Sequence, residues 1–545
     1  MKISNSCWIL LLAWGCTGKT VLVEGADAAG AAGWTFNTLG EAGRSGVLVS
    51  NGGSYGPAGG ALGTDATPAA GAGVCADTSL PVDATRPGYT APRDPSVATL
   101  LSWMSPDAKI KQMYGVPNPT NRDLAAFNDL MRSQDVALGN GKVLRGFRYR
   151  NGARGVTLAE GQDNRASQGK DYSTAFPAPS VRAASWDVEL EMRIGESIGD
   201  ETIASLNNVL IAPSATILRH PYWGRSQESY GEDMHHLGRM ASAFIAGAQR
   251  HVPACVAHFV ANNIENNRAN VNAVMDEQTL REVYGRPFEM VVREGGVACV
   301  MAAYNSVNGV KSTQNRHLLT EILRSSVENG GMGFRGFVIS DWWAMPGGQD
   351  PRDTASAQAV ASGAVKAGLD VEVPWVMNFS QLEPLVSDGT LAQSAIDTSA
   401  GRILEQKVRF NSTYSDGPWG LGTVKTKLSG DSITTNEEHL ALAEEAELKS
   451  AVLLANGTSG APVLPIRNAT SIAVVGLDVT VMVSPQTTLP VTGDRLKFAS
   501  DVNLGDRGGN RVNADPATSI GPFEGIKLTA ARHNTTNVTT GTSVV

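Results

Sequence analysis

The chain has 545 residues, 42% hydrophobic and 18% charged, and a formal net charge of −8. It is long enough for two or three globular domains with substantial cores. The mild acidity, with no Lys/Arg block or basic stripe, argues against a nucleic-acid partner.

At the N-terminus, Lys2 precedes an apolar core from Cys7 to Trp14, followed by the small residues Gly15 and Cys16. Residues 1–23 therefore read as an export signal, too short to span a membrane. The stretch "LAWGC" also fits a lipoprotein cleavage site, which would place a lipid anchor on Cys16, although Trp14 suits that peptidase poorly. A secreted or extracytoplasmic protein is expected, and no later segment reaches the ~20 apolar residues that a membrane span requires. Residues 24–93 carry "AAGAAG" and "PAGGALG" and few large apolar side chains, the composition of a flexible tether. Cys255 and Cys299 sit inside apolar runs and are expected to be small core residues rather than a disulfide.

From Asp94 onward, strand-like and helix-like segments alternate. "NVLIAPS" (208–214), "ACVAHFVAN" (254–262), "VACVMAAYN" (297–305), "GFVISDWW" (336–343) and "LDVEVPW" (369–375) are continuous apolar runs separated by helical patterns, one of them beginning at a cap on Asp276. Continuous runs suit strands buried on both faces of a parallel sheet. Repeated βα units of this kind imply a doubly wound sheet or a TIM barrel over 94–410. Residues 411–435 read as a linker by composition. Residues 436–545 open on a helix, "EEHLALAEEAELKSAVLLANG", with a capping box from Thr435 to Glu438, and continue into a strand, "SIAVVGL". This is the start of a partial α/β domain.

Polar residues gather where these runs end: His258, then Tyr304 with Asn305, then Asp341. In a βα barrel that is the face that holds active sites. A carboxylate at a strand end is often only a helix cap. Beside Trp342 and Trp343, which suit stacking on the C–H faces of a sugar ring, Asp341 also suits nucleophilic attack on an electron-poor carbon. The loop "RHPYWGRSQESYGED" (219–233) concentrates Arg219, Arg225, Glu228, Glu232 and Asp233, most of which read as a structural ion-pair network. His235 and His236 lack metal-ligand spacing, so no metal is expected. "GMGFRG" (331–336) precedes a strand instead of joining strand to helix, so it is not read as a dinucleotide fingerprint, and no cofactor is expected.

Taken in order and spacing, "WGRSQESYGED", "AHFVANNIENNR", "VMAAYNSVNGV" and "GFVISDWW" resemble glycoside hydrolase family 3, the β-glucosidase family. "TAFPAPSVRAASWD" (174–187) and "DRGGNRVNADPATSIGPFEGI" (506–526) fit it too. The resemblance implies a TIM-like (β/α) barrel followed by a partial (α/β) sandwich domain, with the active site between them. It implies a retaining exo-glycosidase acting on a β-linked oligosaccharide or glucoside, with Asp341 as nucleophile. Asn151, Arg225, His258, Arg268, Met301, Tyr304 and Trp342 would line the sugar pocket, Tyr304 orienting Asp341. Two departures stand out. The family usually has Lys where this chain has Ala257, and Asp where it has Asn151, so two charge-assisted bonds to sugar become weaker or vanish. The family's acid/base, a Glu in the sandwich domain, is expected beyond the end of this chain. Glu228 and Glu265 lie near the site by motif, but the resemblance gives neither that role. A catalytically impaired or non-catalytic sugar-binding relative is the alternative reading.

Overall fold

The structure is a computed structural model that describes residues 7–11, 94–115, 132–157, 173–205, 207–347, 356–374, 376–410, 437–457, 462–466, 469–475, 512, 522–533, 535 and 537–541. The expected tether (24–93), the linker (411–435) and Cys16 lie outside these residues. The fold is α/β, built around short parallel strands: β1 (Tyr149–Asn151), β2 (Val209–Ile211), β3 (Cys255–Phe259), β4 (Cys299–Ala302) and β5 (Phe337–Ser340). Every residue of β2 to β5 is buried, as continuous apolar runs require of strands covered on both faces.

The pairings form a circuit. β1 pairs with β2, β3 with β4 and β4 with β5, all parallel. Parallel bridges Leu210–Ala254 and Ser214–Ala257 join β2 to β3, Ile339–Val371 extends the series past β5, and Tyr114–Glu372 carries it to residue 114. Antiparallel bridges Gly115–Ser133 and Arg132–Arg148 return it to the residue before β1.

Helices cover the outside. α1 (Val188–Ala204) is capped by Asp187, whose side chain accepts from Leu190 N. α2 (Met234–Ala248) is capped in the same way by Asp233, accepting from His236 N. These two helices touch backbone to backbone: a Cβ on Gly195 would lie 2.1 Å from Phe244 O, and one on Gly247 would lie 1.9 Å from Met192 O. Only glycine fits at such a crossing. The helical stretch after β3 does begin at a cap on Asp276, but it runs through a π-helical turn, Leu280–Tyr284, before α3 (Arg286–Arg293). α4 (Ala357–Ala367) ends at Gly368 with φ +110°, and α5 (Gln393–Arg409) follows.

α6 (Glu437–Ser450) packs on α1. Arg193 grips Glu445 at 3.0 and 2.9 Å, Lys449 meets Asp187 at 2.8 Å, and His439 Nδ1 lies 2.9 Å from buried Glu201. The expected helix through Gly457 stops at Ser450. Its buried face is His439, Leu442, Ala446 and Ser450, whereas Leu453 and Leu454 are 61% and 92% exposed, so a further turn would gain little burial. Further on, α7 (Pro522–Arg532) accompanies the parallel strands β6 (Ser471–Val475) and β7 (Asn537–Gly541), and Cys7–Leu11 pairs with β6.

One expectation is corrected outright. Cys255 and Cys299 are core residues, fully buried, but they also form a disulfide. The register of β3 on β4 sets them directly opposite each other, with Cα atoms 4.2 Å apart.

Candidate active site

A cavity of about 150 Å³ opens at the C-terminal ends of β1 to β5. The structure brings Asn151, Arg225, His258, Arg268, Met301, Tyr304, Asp341 and Trp342 to its wall together. β1 delivers Asn151, β3 delivers His258, and β4 delivers Met301 and, two residues past its end, Tyr304. β5 runs straight into Asp341.

Asp341 is 6% exposed, and its two oxygens are treated differently. Oδ1 accepts from the Tyr304 hydroxyl at 2.8 Å and from Trp342 N at 2.6 Å. Oδ2 has no hydrogen-bond donor among the described residues; His258 Nε2 stands 3.2 Å from it. Burial pushes the carboxyl above its ordinary range, while Arg225, Arg268, Tyr304 and the Trp342 amide pull it back. After Asp341 the chain turns sharply, closed by Ala344 N donating to Asp341 O, with Trp343 at φ +57°. A left-handed tryptophan is strained, and that strain sets both rings against the site. The Trp342 ring is braced edge-on by Tyr149, with centroids 6.2 Å apart.

Two arginines supply positive potential. Arg225 is clamped by Glu228 through Nε at 3.0 Å and Nη2 at 2.7 Å, and its Nη1 lies 2.8 Å from His258 Nε2. Burial opposes the Arg225 charge, but the Glu228 carboxylate outweighs it and raises the guanidinium pKa. His258 is held well below its ordinary value by burial first, then by Arg225 and Arg268. Arg268 lies over the Tyr304 ring, 3.7 Å from its centroid, and donates to Glu265 at 2.9 Å. Glu265 also accepts from Trp223 Nε1 and Asn262 Nδ2. Burial, then the Asp341 charge, pushes the Tyr304 phenol well upward, so it stays a donor.

The cavity is lopsided. Apart from Arg225 and Glu228, which come from the loop after β2, the β1 and β2 side presents only neutral groups: Asn151, Ala153, Ile211, Ala212, Pro213 and Ser214. Ala257 continues that neutral wall up to His258. The sequence reading set Glu228 near the site by motif and offered Trp343 beside Trp342 for stacking, without counting either among the pocket residues, and it did not single out Ser214. For Glu228 the signal was present: Arg-x-x-Glu spacing puts the pair side by side on one turn. Among the described residues, no group of three His, Cys, Asp or Glu side chains converges as a metal site.

Residues 148–406 match the glycosyl hydrolase family 3 N-terminal domain. The chain is 36% identical over 265 residues to β-glucosidase B of Emericella nidulans, covering 48% of this chain and 28% of that relative. It is 34% identical over 307 residues to thermostable β-glucosidase B of Acetivibrio thermocellus, covering 56% of this chain and 36% of that one. β-glucosidase 3B from Thermotoga neapolitana, solved in complex with α-D-glucose, superposes with a TM-score of 0.63 at 27% identity, over 81% of this chain and 55% of that structure. The chain thus spans about a third of the length of these two curated relatives.

Proposed function

Because this chain belongs to glycosyl hydrolase family 3, carrying that family's N-terminal domain over residues 148–406, we propose that it is a β-glucosidase-like hydrolase whose cavity holds the terminal sugar of a β-linked glucoside. We read the circuit of strand pairings as a TIM-like barrel, and the segment from residue 436 as the beginning of a sandwich domain.

Asp341 is the nucleophile in this reading. Its carboxylate attacks the anomeric carbon, a glycosyl-enzyme forms, and water releases the sugar with retention of configuration. Arg225, His258, Arg268 and Asn151 hold hydroxyls, Trp342 and Met301 wall the ring, and Tyr304 orients the nucleophile. One observation carries the proposal: a buried carboxylate at a strand end, with hydrogen-bond donors on only one of its two oxygens, lines a polar cavity. No described residue is assigned as acid/base. Glu228 has both oxygens on Arg225, and Glu265 is held by Arg268, Trp223 and Asn262, so neither is placed to hand a proton to a leaving group.

The test is trapping with 2,4-dinitrophenyl 2-deoxy-2-fluoro-β-glucoside, followed by peptide mapping. A covalent sugar on Asp341 is expected; a label on another residue would sink the assignment. The neutral wall at Asn151 and Ala257 favours a second reading, a sugar-binding relative without turnover. That reading predicts glucose binding with no label. Export is proposed from the apolar stretch between Lys2 and Cys16. N-terminal sequencing of the mature chain tests it, since retention of residues 7–11, which pair with β6, would argue against cleavage.

A further inference from the structure

We infer that the cavity is built for a deoxy sugar: a terminal β-linked hexose that lacks one hydroxyl on the edge away from C1, where a hydrocarbon patch receives it. This names the sugar class of the site proposed above, and it rests on the reading that the cavity holds a terminal sugar.

The patch consists of Ala153, Ile211, Ala212, Pro213 and Ala257, whose side chains are hydrocarbon throughout. Ile211 ends β2, Ala212 and Pro213 continue it, and Ala257 lies within β3. Much of the backbone here is already bonded within the fold. Ala257 N donates to Pro213 O at 3.0 Å, and Ala257 O accepts from Ala215 N at 2.7 Å. Ile211 O accepts from Gly152 N at 3.3 Å, and Ala153 O from Arg182 Nη1 at 3.1 Å. Pro213 has no N–H to offer. The same wall has two polar side chains, Asn151 and Ser214, both neutral.

The charged and strongly polar groups cluster elsewhere and touch one another. Arg225 Nη1 lies 2.8 Å from His258 Nε2, Arg268 covers the Tyr304 ring, and the Tyr304 hydroxyl donates to Asp341. In a pyranose, C4 lies across the ring from C1, flanked by C3 and by C5 with its C6 arm. With C1 turned to Asp341, that far edge meets the rest of the wall, the patch included. A hydroxyl pressed on the patch gives up water and gains no side-chain partner there, whereas a C–H is buried favourably. Hydrocarbon walls reject an added hydroxyl by up to about 10²-fold, but a site that hydrogen-bonds a hydroxyl rejects the analogue lacking it by about 10⁴-fold or more. The sign of the preference therefore reports which kind of wall the sugar meets.

The test measures, by NMR titration of the 545-residue chain, the dissociation constants of methyl β-glucoside and of its 3-, 4- and 6-deoxy analogues. At least one analogue is expected to bind roughly 10- to 100-fold more tightly than the glucoside. Ala257→Ser and Ile211→Thr each put a hydroxyl on the patch without adding bulk beyond one atom. At least one of them should shrink that advantage roughly 3- to 10-fold, the worth of one hydrogen bond. A glucoside that binds as tightly as every analogue, or more tightly, overturns the inference, as does an advantage that survives both substitutions unchanged. If either variant does not fold, the series on the unaltered chain still decides. The two readings fail separately: when none of the four sugars binds, the sugar cavity itself falls. When the glucoside binds best and the fluoro-glucoside labels Asp341, only the deoxy preference is lost.

Discussion

Three buried carboxylates lie on or beside β5, and they are dressed in two ways. Asp370 accepts from Arg324 at 2.5 Å, from Val338 N at 2.8 Å and from Arg402 at 2.9 Å. Glu372 accepts from Met377 N, Asn378 N, Phe379 N and Asn378 Nδ2, all within 3.0 Å. Both have donors on each oxygen. Asp341 has two donors on one oxygen and none on the other. Titration does not separate Glu372 from Asp341, because burial drives both upward. Saturation does: Asp370 and Glu372 spend both oxygens on the protein, whereas Asp341, the nucleophile proposed above, spends one.

The comparison breaks most visibly through Asp341 itself. Asp341→Ala should lower the rate on an activated aryl β-glucoside by on the order of 10⁴-fold or more, as loss of a nucleophile does elsewhere. The chain should still fold: Tyr304 and the Trp342 amide lose a hydrogen-bond partner and Arg225 and Arg268 lose a nearby negative charge, but the cost of burying the carboxylate goes with them. A large loss of stability would place Asp341 with Asp370 and Glu372. Asp370→Ala is the converse. It strands Arg324, 7% exposed, and Arg402 beside a void. Removing one partner of a buried ion pair costs about 3–5 kcal/mol, to be read in denaturant unfolding. Unaltered stability would mean that saturation does not mark a structural carboxylate.

Smaller changes sharpen the picture. Ala257, 4% exposed on the neutral wall, adjoins His258. Ala257→Lys should tighten glucose binding by about 1.5–3 kcal/mol in calorimetry, the worth of one hydrogen bond to a charged group. Weaker binding would show that the wall is shaped around the small side chain. At the opposite end of the strands, Lys407 is buried over the Phe147 ring and donates to Gln112 and the Arg145 carbonyl. Burial brings its pKa down from 10.5 to about 7. Between those values the unfolded chain holds a proton that the folded chain lacks, so stability rises with pH across that window, by up to about 1.4 kcal/mol per unit. Below pH 7 both states are protonated and the contribution is flat. Lys407→Met should remove this slope in unfolding curves at pH 7, 8 and 9.

How much of this was legible in the sequence depended on whether the signal was local. Phe337–Ser340 is a continuous apolar run, and it forms the strand at those residues with Asp341 at its tip. Asp276 reads as a cap because its neighbours supply the amide it binds. The disulfide was not legible, because apolar flanks say that Cys255 and Cys299 are buried but not that two strands 44 residues apart share a register. Nor was the closure through Gly115, Ser133 and Arg148, where isolated bridges leave no periodic pattern to read. Among the site residues, motif order foretold which side chains share a cavity. Which oxygen of Asp341 is dressed depends on angles that only packing sets.

The way α6 is held also bears on the order in which the molecule assembles. Its ties to α1 and to the residue capping it link positions 238 to 262 residues apart, so each must close a long loop before it contributes. Two are partly exposed ion pairs, screened by solvent and weak, and the buried apolar anchors of α6 are only Leu442 and Ala446. α1 and α2, by contrast, interlock through glycine at close range. α6 should therefore dock late in refolding and release first, its amides exchanging with solvent through an opening that leaves α1, α2 and the strands beneath them intact.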